Sequence, residues 1–203
     1  LAIDGPLSTG FTGTDYTFFF VAKQATDTGG GYFPNLIRHQ SDFSAANWGA
    51  YLFGGNAATS NQPSLVISAR NGAGGEVPCF VTPVTTGTWD IISGQVNGAA
   101  GESSGRVEKR DTSPATVVTG AAAGALNFGF TPVATFIGRS GGANVANESF
   151  DGEMAEVLVY AGALTAAEQA AVELYLRCRW FDPQEAAIAI LPLENGDVEI
   201  TFA

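Results

Sequence analysis

The chain has 203 residues, of which 45% are hydrophobic and 14% charged, with 26 glycines, 14 phenylalanines and three tryptophans. That length suits one domain or at most two, and such a composition excludes a disordered or mainly helical chain in favour of many short strands joined by tight turns. The net charge of −11, with Lys23 and Lys109 as the only lysines, provides no clustered basic face and so excludes nucleic-acid binding. The same acidity repels anionic membranes, and no apolar run approaches the length of a bilayer-spanning helix.

In chain order, residues 1–14 read as an opening strand and a loop. Asp15 to Lys23 is the strongest upstream strand, and its consecutive aromatics imply burial on both faces. After a turn-rich break at residues 26–31, strands are expected at Tyr32 to His39, Trp48 to Phe53 and Ser64 to Arg70, with Gly54-Gly55-Asn56 and Pro63 between the last two. Glu76 to Val81 returns from the turn at residues 71–75. The next strand is placed at Gly87 to Gly94, with Trp89 as a core anchor, and a weaker pair at Gly105 to Arg110 and Ala115 to Thr119. The alanine run at residues 120–124 is too short and too glycine-flanked for a helix, and Pro132 to Gly138 leads into the segment that organises the chain.

That segment is residues 150–180. Phe150 to Tyr160 reads as a strand with Met154, Leu158 and Tyr160 on one face and Ala155, Val157 and Val159 on the other, both apolar, as in a central or doubly covered strand. Thr165 and Glu168 form a capping-box pattern that starts a helix. Ala171, Leu174, Tyr175 and Cys178 supply its apolar stripe, and Arg177 and Arg179 suit the negative end of its dipole. Asp182-Pro183 ends it. Beyond, Ala186 to Pro192 and Asp197 to Phe202 read as two short strands about Asn195-Gly196, a good hairpin turn.

Residues 133–181, through Phe136-Ile137-Gly138-Arg139-Ser140, Phe150 to Tyr160, Leu164-Thr165, Glu168, Tyr175-Leu176 and Trp180, resemble the C-terminal signature of laminin-G-like domains in the concanavalin A-like lectin and glucanase superfamily. Leu1-Ala2-Ile3-Asp4-Gly5 is similar to the strand that opens such domains, and since Leu1 is not an initiator the chain is expected to be a piece of something longer. The resemblance implies an all-β fold, a two-sheet antiparallel jelly-roll sandwich with one C-terminal α-helix. Residues 1–181 form that domain on this reading, and 182–203 a β tail that serves as an assembly element or simply adds to the sandwich.

Carbohydrate binding is the function the resemblance implies first. It needs an aromatic face beside amide and carboxylate partners, and Tyr32, Phe33, Phe43, Trp48 and Tyr51 lie in a stretch rich in such partners, although each is also a candidate for the core. Calcium is the one cofactor considered, with Asp27, Asp42, Asn147 and Asp151 as oxygen ligands, set against ordinary solvated turns. Asp151, Glu153 and Glu156 evoke a retaining glycosidase, whose carboxyls stand about 5 to 5.5 Å apart. Glu153 and Glu156, three residues apart, point to opposite faces of a regular strand, so only a bulge would bring them together. His39 is the only histidine and has no nucleophile elbow, and zinc lacks a ligand set.

Two alternatives stand for Cys79 and Cys178: a disulfide closing a loop of roughly a hundred residues, on the order of 4 to 5 kcal/mol by chain entropy, or two free thiols. The expected function is therefore a non-catalytic recognition or assembly module outside the cytoplasm. Its settings are a virion component such as a bacteriophage decoration, fibre or tail protein, or a secreted bacterial glycan-binding adhesin. Its partners are cell-surface glycan or neighbouring subunits, including copies of itself.

Overall fold

The computed structural model describes residues 2–3, 15–25, 34–40, 47–53, 64–70, 76–98, 100–111, 113–123, 134–138, 149–182, 188–192 and 198–202. The chain divides into two compact units, Leu1–Leu164 and Thr165–Ala203.

The first unit is a sandwich of two antiparallel sheets. Its strands are β1 (Ala2–Ile3), β2 (Asp15–Gln24), β3 (Asn35–Gln40), β4 (Asn47–Phe53), β5 (Ser64–Arg70) and β6 (Glu76–Val81), then β7 (Asp90–Asn97), β8 (Glu102–Lys109), β9 (Thr116–Ala123), β10 (Ala134–Ile137) and β11 (Gly152–Tyr160). One sheet runs β1-β10-β3-β4-β5-β6 and the other β11-β2-β7-β8-β9. Tyr16, Phe18, Phe20 and Ala22 of β2 meet Leu36, Ile37, Leu65, Ile67, Cys79 and Val81 of the facing sheet, with Ile92, Val96 and Val107 beside them. The intervening residues Thr17, Phe19 and Val21 are buried too, so β2 is covered on both faces as its sequence predicts.

The sheets interlock across a row of glycines. Phe18, Gly94, Gly105 and Gly120 are register partners on β2, β7, β8 and β9. A side chain at Gly94 would run into the Phe18 ring and Ile67, and one at Gly105 would stand 2.6 Å from Ile67 Cδ1 and 2.8 Å from Val81 Cγ2. At Gly120 the obstacle is the backbone carbonyl of Phe80. Phe18 of the same sheet and Ile67, Val81 and the Phe80 carbonyl of the facing sheet thus fill the space left by the glycines.

Several boundaries differ from the sequence reading. The strand expected from Gly87 begins at Asp90, because Gly87 has φ +79° and its amide bonds the Gln24 carbonyl at 2.7 Å, leaving Trp89 outside the strand. Trp89 is half-buried under the Lys23 ammonium, 5.3 Å from the ring centre, and is not a core anchor. β8 begins earlier, at Glu102, and β9 runs through the alanines to Ala123.

β11 is the edge of its sheet, not a central strand. A bulge between Met154 and Glu156 also reverses the expected alternation, so that Met154, Val157 and Val159 pack on the core while Leu158 and Tyr160 take the other face. Two apolar faces report cover above and below a strand, not hydrogen-bonded neighbours on both sides.

In the second unit, α1 (Ala166–Trp180) has the expected capping box: the Glu168 amide donates to Thr165 Oγ1 at 3.3 Å, and the Thr165 amide to Glu168 Oε2 at 2.8 Å. The proposed stripe of Ala171, Leu174, Tyr175 and Cys178 is corrected, because the buried residues are Glu173 and Leu176 while Tyr175 is exposed. With apolar residues all round this helix, more than one stripe satisfies the period. β12 (Ile188–Pro192) and β13 (Val198–Phe202) pair with each other as an antiparallel two-stranded sheet, with Ile190 opposite Ile200.

Replacing Gly120 by alanine should lower stability by about 1–3 kcal/mol, because the Phe80 carbonyl cannot rotate aside. Gly162→Ala, which meets nothing within 4 Å, should stay within about 0.5 kcal/mol of the parent. Urea unfolding midpoints compared at equal slope read both changes.

Candidate functional site

The polar surface of the five-stranded sheet carries the candidate site. Thr17, Gln95, Ser104 and Ala121 form one register row, and Asp15, Asn97 and Glu102 the next towards the β7–β8 turn. Their neighbours Tyr16, Val96 and Ala122 pack on the core, so strand alternation turns both rows to the opposite face. A cavity of about 420 Å³ opens there, lined by Gln95, Asn97, Glu102, Ser103, Ser104, Ala121 and Ala122. Its volume lies within the range of small-ligand sites, roughly 300–1,000 Å³.

The groove has a fixed frame. Thr17, fully buried, donates through Oγ1 to the Gly162 carbonyl at 2.8 Å and accepts from the Leu164 amide at 3.1 Å. The Gln95 side-chain amide donates to Thr17 Oγ1 at 3.3 Å and to the Leu164 carbonyl at 2.7 Å, which turns its oxygen away from those bonds as an acceptor. At the other end, Asn97 Oδ1 accepts from the Ala100 amide at 3.0 Å and Asp15 Oδ1 from the Gly98 amide at 2.8 Å, holding the turn. The Asn97 NH₂ group takes no part in that bond. Glu102 is exposed, and Ser103, 3% exposed, has no hydrogen-bond partner for its hydroxyl among the described residues.

The aromatics expected to bind carbohydrate lie elsewhere or outside the described residues. Tyr32, Phe33 and Phe43 lie outside the described residues; Trp48 and Tyr51 belong to β4, between β3 and β5 inside the six-stranded sheet. Of the oxygen ligands considered for calcium, Asp27, Asp42 and Asn147 are likewise outside the described residues. Asp151 is exposed before β11, where its backbone carbonyl accepts from the Ala25 amide at 2.8 Å. Among the described residues no three His, Cys, Asp or Glu side chains gather as a metal site.

The β11 bulge meets the condition set for the carboxylates. Glu153 pairs with Lys23 and Glu156 with Val21, so the two share a face. Glu153 is ion-paired to Lys23 at 2.5 Å with its side chain 62% exposed, and neither carboxylate lines the groove. Cys79 and Cys178 are both free, and burial pushes the Cys79 thiol up to about 11, which keeps it protonated and unreactive at neutral pH. Glu108, also buried, accepts from Arg106 at 3.3 Å and from Arg110 at 3.0 Å.

The sequence reading names no residue between the strands it ends at Gly94 and starts at Gly105, so it misses the Gln95–Ser104 stretch. Its signal was the two-residue polar spacing of Gln95 with Asn97 and of Glu102 with Ser104, the mark of strands with one face in water.

Asp90, at the other end of β7, is buried, and that burial pushes its carboxyl up to about 7; the Arg110 amide bonding Oδ1 at 3.2 Å opposes this, Asp111 adds to it, and Lys109 and Thr88 oppose it. A folded-state value above the unfolded one means that the native state holds its proton longer as pH rises. Stability contributed by this group should therefore fall between about pH 4 and 7, by up to roughly 1.4 kcal/mol per pH unit, and level off above. Asp90→Asn should flatten that slope, as read from denaturation midpoints across this range. Thr17→Val, which removes three hydrogen bonds at a fully buried position, should cost about 1–3 kcal/mol by the same measurement.

No family model and no curated protein matches the chain. Among solved structures, the CBM40 of the Ruminococcus gnavus IT-sialidase bound to α2,3-sialyllactose aligns with a TM-score of 0.57 at 13% identity, covering 84% of this chain and 95% of that one. The same module bound to α2,6-sialyllactose gives 0.56 at 12% identity, over 84% and 95%. Tailspike protein 2 of bacteriophage CBA120 aligns at 0.46 and 13% identity over 86% of this chain but 29% of its own, which adds nothing to the fold assignment. These similarities support a lectin-like β-sandwich and do not single out laminin-G-like domains within it; the chain folds as an antiparallel two-sheet sandwich followed by one described helix.

Proposed function

We propose that the chain is a non-catalytic recognition module that binds carbohydrate in the Gln95–Ser104 groove. The observation that carries this reading is the alternation of acceptors and donors along one open surface: the Gln95 oxygen, the Asn97 amide, the Glu102 carboxylate and the Ser104 hydroxyl. Sugar hydroxyls both donate and accept, so a mixed row of this kind on a rigid sheet suits them. The sandwich is also the fold on which the Ruminococcus gnavus module holds sialyllactose, a support at the level of fold analogy.

Within lectin-like sandwiches, the laminin-G-like signature of residues 133–181 remains our family reading. The setting is a virion surface or a secreted adhesin, for which the acidic, lysine-poor composition is the support. Assembly with neighbouring subunits through residues 182–203 is the second reading, and its basis is the pairing of β12 and β13 as a two-stranded sheet of their own. A glycosidase is disfavoured by the commitment of Glu153 to Lys23 and by the position of both β11 carboxylates away from the groove. Among the described residues no helix is long and apolar enough to cross a membrane.

A glycan array tests the groove directly. The parent chain should retain at least one class of oligosaccharide, and Ala121→Trp, which fills the groove from an exposed position, should reduce that signal by ten-fold or more. Retention unaffected by the tryptophan would place recognition elsewhere. Absence of any retained glycan would hand the function to assembly, with native mass by light scattering as the readout.

A further inference from the structure

We infer that the groove selects neutral glycans and rejects acidic ones, so that its ligand differs in charge from the sialyllactose held by the structurally similar module. The inference rests on the carbohydrate reading above and concerns what the site can discriminate.

Among the described residues no lysine or arginine lines the groove, and the one acidic side chain there is Glu102. Asp15 lies in the same register row, opposite Asn97, which itself faces Glu102, so two carboxylates flank the amide that would have to receive an anion. The nearest cation on the same strand face is Arg106, two residues beyond Ser104. Its Nη2 bonds Glu108 Oε2 at 3.3 Å, and Arg110 completes that cluster from the same strand's end. An acidic sugar in the groove would thus meet only uncharged side-chain donors among the described lining residues, the Asn97 amide and the Ser103 and Ser104 hydroxyls, beside fixed negative charge. Moving a carboxylate from water into such a place costs free energy that a few neutral hydrogen bonds do not return.

A neutral sugar meets the opposite balance. The Gln95 oxygen and the Glu102 carboxylate accept from adjacent hydroxyls, and hydrogen bonds to a charged acceptor are stronger than neutral ones. Glu102 therefore acts in both directions, binding hydroxyl donors and repelling anions. Specificity by an unpaired repelling charge is a general device of selective sites. The net charge of −11 acts in the same sense at longer range and weakens with salt.

The experiment uses the whole chain and matched pairs of immobilised oligosaccharides, each sialylated glycan beside its desialylated counterpart, at low and at high salt. The expected result is retention of a neutral member at least ten-fold tighter than its sialylated partner, equivalent to about 1.4 kcal/mol. Glu102→Gln should narrow that ratio several-fold, weakening the neutral member and improving the acidic one. Equal or tighter binding of the sialylated members would overturn the selectivity while leaving the carbohydrate reading intact. A discrimination that survives Glu102→Gln unchanged would remove Glu102 from its role and overturn the proposal as well. No retention of either member would overturn the carbohydrate reading itself, and the selectivity with it.

Discussion

The structure depends on how closely its two sheets approach along the row Phe18, Gly94, Gly105 and Gly120. At three neighbouring strands the five-stranded sheet has no side chain on its inner face, and Phe18, Ile67, Val81 and the Phe80 carbonyl occupy the space. Close packing of this kind makes dispersion contacts that a looser interface would forfeit. It also sets the register of the five-stranded sheet, since sliding β7, β8 or β9 by one residue would turn side chains onto these obstacles and the core residues Ile92, Val96 and Val107 into water.

That register has consequences on the far face. Because Phe18 and Gly94 face the core together, Thr17 and Gln95 must stand together on the other side, one row along. There the Thr17 hydroxyl ties Gly162, Leu164 and Gln95 into one knot, so the segment that follows β11 is held to β2 and β7. Gln95 is thus a structural fastening on one edge and a groove acceptor on the other. Core packing and the candidate site are linked through strand alternation, without any direct contact between them. The β11 bulge works by the same rule. One extra residue reverses which carboxylates share a face, and it places Glu153 against Lys23 instead of leaving it in the core's path.

A weakly charged chain with scattered acids still produces a site with definite polarity. Several of the polar groups near the groove are engaged in holding the turn and the β11 exit, and the others are what a ligand can use. Asn97 spends its oxygen and keeps its amide, while Gln95 does the reverse. The difference between these two otherwise similar side chains arises wholly from their partners. Nothing in their positions along the chain states it.

Much of the architecture could be read from the residues. The dense aromatic run of β2, the capping box of Thr165 and Glu168, the pairing of β12 with β13 and the all-β composition all rest on local chemistry, whose partners lie within a few residues or whose pattern repeats along one strand. Strand ends were misplaced where polar residues face solvent, since Gln95, Asn97, Glu102 and Ser104 resemble a loop until their alternation is set against a neighbouring strand. The helix stripe failed because several apolar faces satisfy one period, and Trp89 because an aromatic ring gives no sign of which cation will cover it. Local composition therefore determined which elements form. Their edges, the β11 bulge, the glycine row and the groove depend on contacts between residues far apart in the chain, and only tertiary packing decides which of those distant pairs meet.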